Sequence, residues 1–241
     1  METLKPKRIK PLNFHNSGYY AIGLVVLTGL GFWQSFFSKY VDGTADFNAY
    51  FHFHGAMATI WILMLIIQPI LIRKKKLELH KAIGKLSYLF LPLFFISVLL
   101  LKHHRLGGKV YEGLGADLWL QTKDIVIIGI MYFIAIKYKR NMQIHARAMI
   151  ATGIVFIEPT LGRFLIGVVF PDSMIGFFAT IGLMYLFLIS LMVLERKQTS
   201  GRWIFPLEMG LYMMFHGMLL ARISFPWWDS ATAWFVKLQL T

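Results

Sequence analysis

Cysteine is missing from all 241 residues. Disulfides, thiolate metal sites, iron–sulfur clusters and cysteine nucleophiles are thereby excluded together. Charge is scarce as well: Asp, Glu, Lys and Arg make up 15% of the chain, and only 12 residues are acidic. No phosphate-binding glycine loop, nucleotide motif or nucleophilic Ser-His-Asp order occurs. Apolar residues fill the chain instead. They reach 57%, with a mean hydropathy of +0.59, which is more than the interior of a soluble domain of this length can hide.

The apolar residues come in long runs. A bilayer core is about 30 Å thick and asks for about 20 apolar residues per helix at a rise of about 1.5 Å each. The runs therefore predict one all-α transmembrane domain over residues 1–241 with about seven spans, near 18–37, 50–72, 83–102, 118–138, 143–170, 174–195 and 203–224. The first run exceeds a signal-peptide core and has no clear small-residue cleavage site, so it is expected to stay as a helix.

The net charge of +13 does not point to nucleic acid, because the basic residues sit in short clusters between apolar runs and form no stripe. Their placement orients the chain. Lys5, Lys7, Arg8 and Lys10 precede the first span, and Arg73, Lys74, Lys75, Lys76, Lys81 and Lys85 surround the second connection. Lys137, Lys139, Arg140 and Arg147, then Arg196, Lys197 and Arg202, fall on that same side. The other side is poorer, with Lys39 beside Asp42 and Asp46 and a bare Pro171-Asp172 turn. One loop dissents, carrying Lys102, Arg105 and Lys109 beside Glu112 and Asp117. The pattern predicts a cytoplasmic N-terminus and an external C-terminus, with Pro226-Trp227-Trp228 at the outer interface.

An ionisable group inside a bilayer is costly, so each one asks for a reason. Depth counted along the spans puts His54, Lys123, Asp124, Arg163, His216 and Arg222 in one outer layer, with Glu158 a turn deeper. His54 and His216 share a setting, Phe53-His54-Gly55 and Phe215-His216-Gly217. Facing imidazoles on two helices suit a b-type haem, and Arg163 and Arg222 would receive its propionates. The same histidines with Glu158 or Asp124 would suit zinc or iron. His80 and His145, each reached through a basic hairpin, are either interfacial residues or a second, inner site for haem or quinone, which Glu208 could join. His52, His103 and His104 read as loop or interface residues, and Gln68-Pro69 and Glu158-Pro159 as kinks.

Two stretches, 52–88 and 142–165, resemble an uncharacterised family of bacterial multi-pass membrane proteins. They carry a helix opening with histidine, a basic loop, His-x-x-x-Gly at His80 and Gly84, then His-x-x-x-Met at His145 and Met149, and an arginine at Arg163. Ala148 and Ala151 stand where the family pattern has an aromatic and a basic residue. The resemblance implies a bacterial inner membrane location and transfers no catalytic role. In layout the chain is distantly similar to di-haem b-type transmembrane cytochromes.

Three functions thus stand open: a haem redox protein exchanging electrons with a quinone, a metal-dependent intramembrane hydrolase, and a transporter or accessory subunit of a membrane complex. The orientation is directly testable, since cysteines can be added one at a time to this chain. A cysteine near Lys76 or Gln198 should resist an impermeant thiol reagent in intact cells, while one near Asp172 or Thr241 should react. Labelling at Gln198 without labelling at Asp172 overturns the orientation.

Overall fold

The computed structural model describes residues 17–171 and 173–241; the basic N-terminal tail and Asp172 lie outside the described residues. The described residues are helical, with no strand among them. Six helices are long and apolar enough to cross a bilayer: α1 (Ser17–Val41), α2 (Ala49–Arg73), α3 (Leu77–Leu106), α4 (Leu114–Lys137), α5 (Met142–Val169) and α6 (Met174–Glu195). A shorter apolar helix, α7 (Ile204–Leu220), follows. The chain then turns into α8 (Pro226–Lys237), which packs against α4 and α3. The Trp227-Trp228 pair expected at an interface thus opens a further helix, started by Pro226 at a position where the missing N–H is no loss.

The helix starts are written locally. Asn48 Oδ1 accepts from the Phe51 N–H at 2.9 Å, Asn141 Oδ1 from Gln143 at 3.1 Å, and Ser173 Oγ from Ile175 at 3.0 Å. In the loop before α4 the Tyr111 hydroxyl donates to Asp117. That hydrogen bond, with burial and the carboxylate charge adding to it, pushes the phenol up to about 12.

α5 is the centre of the bundle and packs against α1, α2, α4, α6 and α7. It is not continuous. The helix breaks after Ile154 and resumes at Ile157, one residue before Glu158-Pro159, then ends in a π-helical segment over Leu165–Val169. Pro159 has no N–H to give the carbonyl four residues back and clashes with it, which opens the turn at Val155 and Phe156. Pro69 and Pro92, by contrast, lie within unbroken helices.

Lipid tails are as apolar as leucine, so close helix contact is won by small residues. A Cβ on Gly31 would lie 2.3 Å from the carbonyl oxygen of Thr160, so α1 and α5 touch backbone to backbone there. Ala148 and Ala151 on α5 are wholly buried. The aromatic and basic side chains expected from the resemblance would have no room at these positions.

Arg147, counted above with the charges of the basic end, is fully buried. Its Nε donates to Glu195 at 2.5 Å, and its Nη1 donates to the Gln143 carbonyl at 2.9 Å and side chain at 2.8 Å, tying α5 to α6. The Gly31 contact gives the sharpest packing test. Gly31→Ala should lose about 1–3 kcal/mol of stability in mixed-micelle unfolding, the usual range for overpacking. Gly23→Ala on the same helix, where nothing lies within 4 Å, should be close to neutral.

Candidate functional site

α4, α5, α6 and α7 meet around one buried polar cluster. Lys123 on α4 is 1% exposed and His216 on α7 is 2% exposed. Between them, Glu158 is the second residue after α5 resumes, just past the break at Val155 and Phe156. Glu158 Oε1 accepts from Lys123 Nζ and lies 3.2 Å from His216 Nε2. Lys123 Nζ is itself 3.2 Å from that Nε2. Asp124 Oδ1 comes to 3.4 Å of Lys123 Nζ, and the Tyr185 hydroxyl of α6 to 3.0 Å of His216 Nδ1.

The imidazole therefore has an ammonium and a carboxylate at the same distance from one nitrogen. If Nε2 carries a proton it donates to Glu158; if it is bare it accepts from Lys123. Tyr185 can serve Nδ1 as donor or as acceptor, so both arrangements fit one set of heavy-atom positions. With Lys123, Asp124 and Glu158 all ionised, the cluster would carry one excess negative charge, which one added proton cancels. Burial makes that compensation matter, because an unmatched charge is expensive in a low dielectric.

Towards the basic end, α7 continues the same face. Tyr212 lies one turn from His216 and Glu208 two turns, and both are wholly buried. Neither oxygen of Glu208 nor the Tyr212 hydroxyl has a hydrogen-bond partner among the described residues. The Lys123 ammonium sits 5.0 Å over the Tyr212 ring, which links this column to the cluster.

Of the outer layer read from the sequence, Lys123, Asp124, Glu158 and His216 come together, and the rest do not join them. His54 Nδ1 is 3.3 Å from Ser97 Oγ on α3. Because that hydroxyl donates to the Phe94 carbonyl at 2.6 Å, the imidazole must be the donor to Ser97. The His54 ring stacks on Phe94, which in turn contacts Phe156. His54 and His216 share no hydrogen-bond partner or ring contact among the described residues. α2 packs on α1, α3 and α5, whereas α7 packs on α4, α5 and α6. The two arginines are apart in the same sense. Arg163 lies 4.7 Å over the Phe32 ring of α1, while Arg222 closes α7 in the left-handed region at φ 51°.

Among the described residues no group of three His, Asp or Glu side chains is placed to hold a metal ion. Of the residues read as zinc or iron ligands, His54 and His216 with Glu158 or Asp124, His54 lies elsewhere and the other three surround the Lys123 ammonium, which would repel a dication.

At the basic end, His145 Nδ1 donates to the Ala135 carbonyl at 2.9 Å. Gln68, its amide oriented as its neighbours require, donates to His80 Nδ1 and to the His80 carbonyl at 3.1 Å, and accepts from the Gly84 N–H at 3.2 Å. The His-x-x-x-Gly turn is thus clasped by α2, and the ring proton of a neutral His80 lies on Nε2. His103, read as an interface residue, is buried: its Nδ1 is 2.7 Å from Thr241 Oγ1 and its ring meets Phe235 of α8.

Tyr185 was missed in the sequence, having no charge to mark it within the apolar run of α6. Tyr212 was visible only as the residue between Glu208 and His216 at four-residue spacing. No family model, no curated protein and no solved structure matches the chain.

The cluster is testable as a coupled unit. Lys123→Met strands Glu158 and Asp124 without their shared cation and should lose about 3–5 kcal/mol, whereas Glu158→Gln leaves Lys123 beside Asp124 and should lose less. The double variant, which strands Asp124 alone, should recover part of the Lys123→Met loss in a double-mutant cycle read by mixed-micelle unfolding. Simple additivity of the two losses would mean that the groups are not coupled.

Proposed function

We propose that this multi-pass membrane protein belongs to the transporter class and handles protons, with Lys123, Glu158 and His216 forming the proton-binding centre. The observation that carries the reading is the placement of His216 Nε2 at 3.2 Å from both Lys123 Nζ and Glu158 Oε1. A proton can be held there in more than one arrangement without any heavy atom moving. The cluster lies deep among apolar helices, where selection for stability alone favours apolar side chains.

The break in α5 supports the same reading. A discontinuous helix places backbone and side chains that a regular turn would keep apart, and broken helices recur at the binding sites of membrane transporters. Tyr212 and Glu208 extend the buried face from the cluster towards the basic end, supplying a direction for proton movement. With the basic end in the cytoplasm, as the charge asymmetry predicts, that direction runs inward. Of the three functions raised by the sequence, this one draws only on contacts that the described residues make.

Full-length protein reconstituted into liposomes with an entrapped pH dye tests the proposal under an imposed potassium-diffusion potential. Wild type should move protons faster than empty liposomes. Glu158→Gln and His216→Phe should each reduce the flux at least tenfold, and Glu208→Gln should slow it as well. Wild-type flux equal to that of empty liposomes, or unchanged by Glu158→Gln, overturns the assignment.

A further inference from the structure

A cavity of about 320 Å³ opens at the end of the bundle opposite the basic hairpins, between the close of α1, the start of α2, the end of α3 and α5. Lys39, Arg105 and Arg163 line it, with Asp46 as its one carboxylate and Phe51 among its apolar walls. No ion pair joins Asp46 to any of the three cations, and neither arginine has a carboxylate partner among the described residues. Arg105 of α3 and Arg163 of α5 are brought to the same cavity from two helices. Like charges gathered at one cavity raise the local concentration of a counter-ion of opposite sign.

Two of the three cations lie against aromatic rings. Arg163 stacks over Phe32 at 4.7 Å, and Lys39 lies 5.6 Å from the Phe47 ring. Stacking of that kind uses the face of a guanidinium and leaves its N–H edge free for an oxyanion. Ser35, also in the lining, has a buried hydroxyl with no partner. It belongs to the π-helical segment Trp33–Phe37 of α1, and Arg163 stands just ahead of the π-helical segment Leu165–Val169 of α5. π-helical turns are rare and gather at functional sites. Arg105, read from the sequence as part of the loop that dissented from the charge asymmetry, lies in the last turn of α3, and its positive charge thereby acquires a use.

We propose that this cavity binds a phosphate-class oxyanion, held by Lys39, Arg105 and Arg163 and carried either on a lipid headgroup or as the free ion. The site is separate from the Lys123–Glu158–His216 cluster and does not depend on the proton reading.

Full-length protein in nanodiscs distinguishes the two sources. One arm compares phosphatidylglycerol with phosphatidylcholine by counting lipids retained in native mass spectrometry. The other adds inorganic phosphate alone and follows the thermal midpoint. Preferential retention of phosphatidylglycerol assigns the lipid, and a midpoint raised by phosphate assigns the free ion. In either case the Arg105→Gln/Arg163→Gln double variant should weaken binding about tenfold or more, as loss of charge-assisted hydrogen bonds requires. Arg163→Lys keeps the charge and should bind in between, which shows that any loss is not one of folding. Lys81→Gln, on the surface at the other end, should behave as wild type. No lipid preference together with no phosphate response, or a double variant equal to wild type, overturns the proposal.

Discussion

The contact between Glu158 and its two nitrogen partners is what the rest of this bundle has to accommodate. A carboxylate in an apolar interior is tolerated only if its charge is matched at contact distance. The match here comes from two other helices, Lys123 of α4 and His216 of α7. Three helices, α4, α5 and α7, are therefore held in register by one residue of the central helix. Tyr185 adds α6 to the set through the far side of the imidazole, so the cluster reaches four helices.

The break in α5 is the structural price of that placement. Pro159 prevents a regular turn over Val155 and Phe156, and the helix resumes with Glu158 next to the break. Beyond it the same helix presses against α1 at Gly31, and its π-helical end lies by the cationic cavity. One helix therefore serves two polar regions, with Glu158 in the cluster of Lys123 and His216 and Arg163, five residues on, lining the cationic cavity. They are kept apart by the direction in which the helix presents them. Arg163 leans on Phe32 of α1 while Glu158 turns towards α4 and α7.

Packing explains why a chain with so few charges keeps these. Where the resemblance led to an expected aromatic and an expected basic residue, Ala148 and Ala151 sit fully buried at the centre. Small residues there leave room for neighbouring helices to close on α5. At the basic end the buried Arg147–Glu195 pair performs a matching of the same kind between α5 and α6. Buried pairs of this sort add little net stability and specify which helices are neighbours.

The sequence by itself determined the class of the molecule and the course of its helices. Apolar runs of bilayer length, polar caps such as Asn48 and Asn141, and the break at Pro159 are local properties, and local properties survive reading in one dimension. It also determined which residues would be exceptional, because any Lys, Glu or His within such a run is costly wherever the helix ends up. Partnership was decided by the tertiary structure alone. Depth along a span fixes one coordinate, but not which side of the helix faces which neighbour, and adjacent helix axes stand about 8–10 Å apart. Two groups at equal depth on helices separated by a third are thus beyond reach of each other. That is why His54 and His216, matched in depth only by counting along the spans and alike in Phe-His-Gly setting, find Ser97 and Lys123 instead.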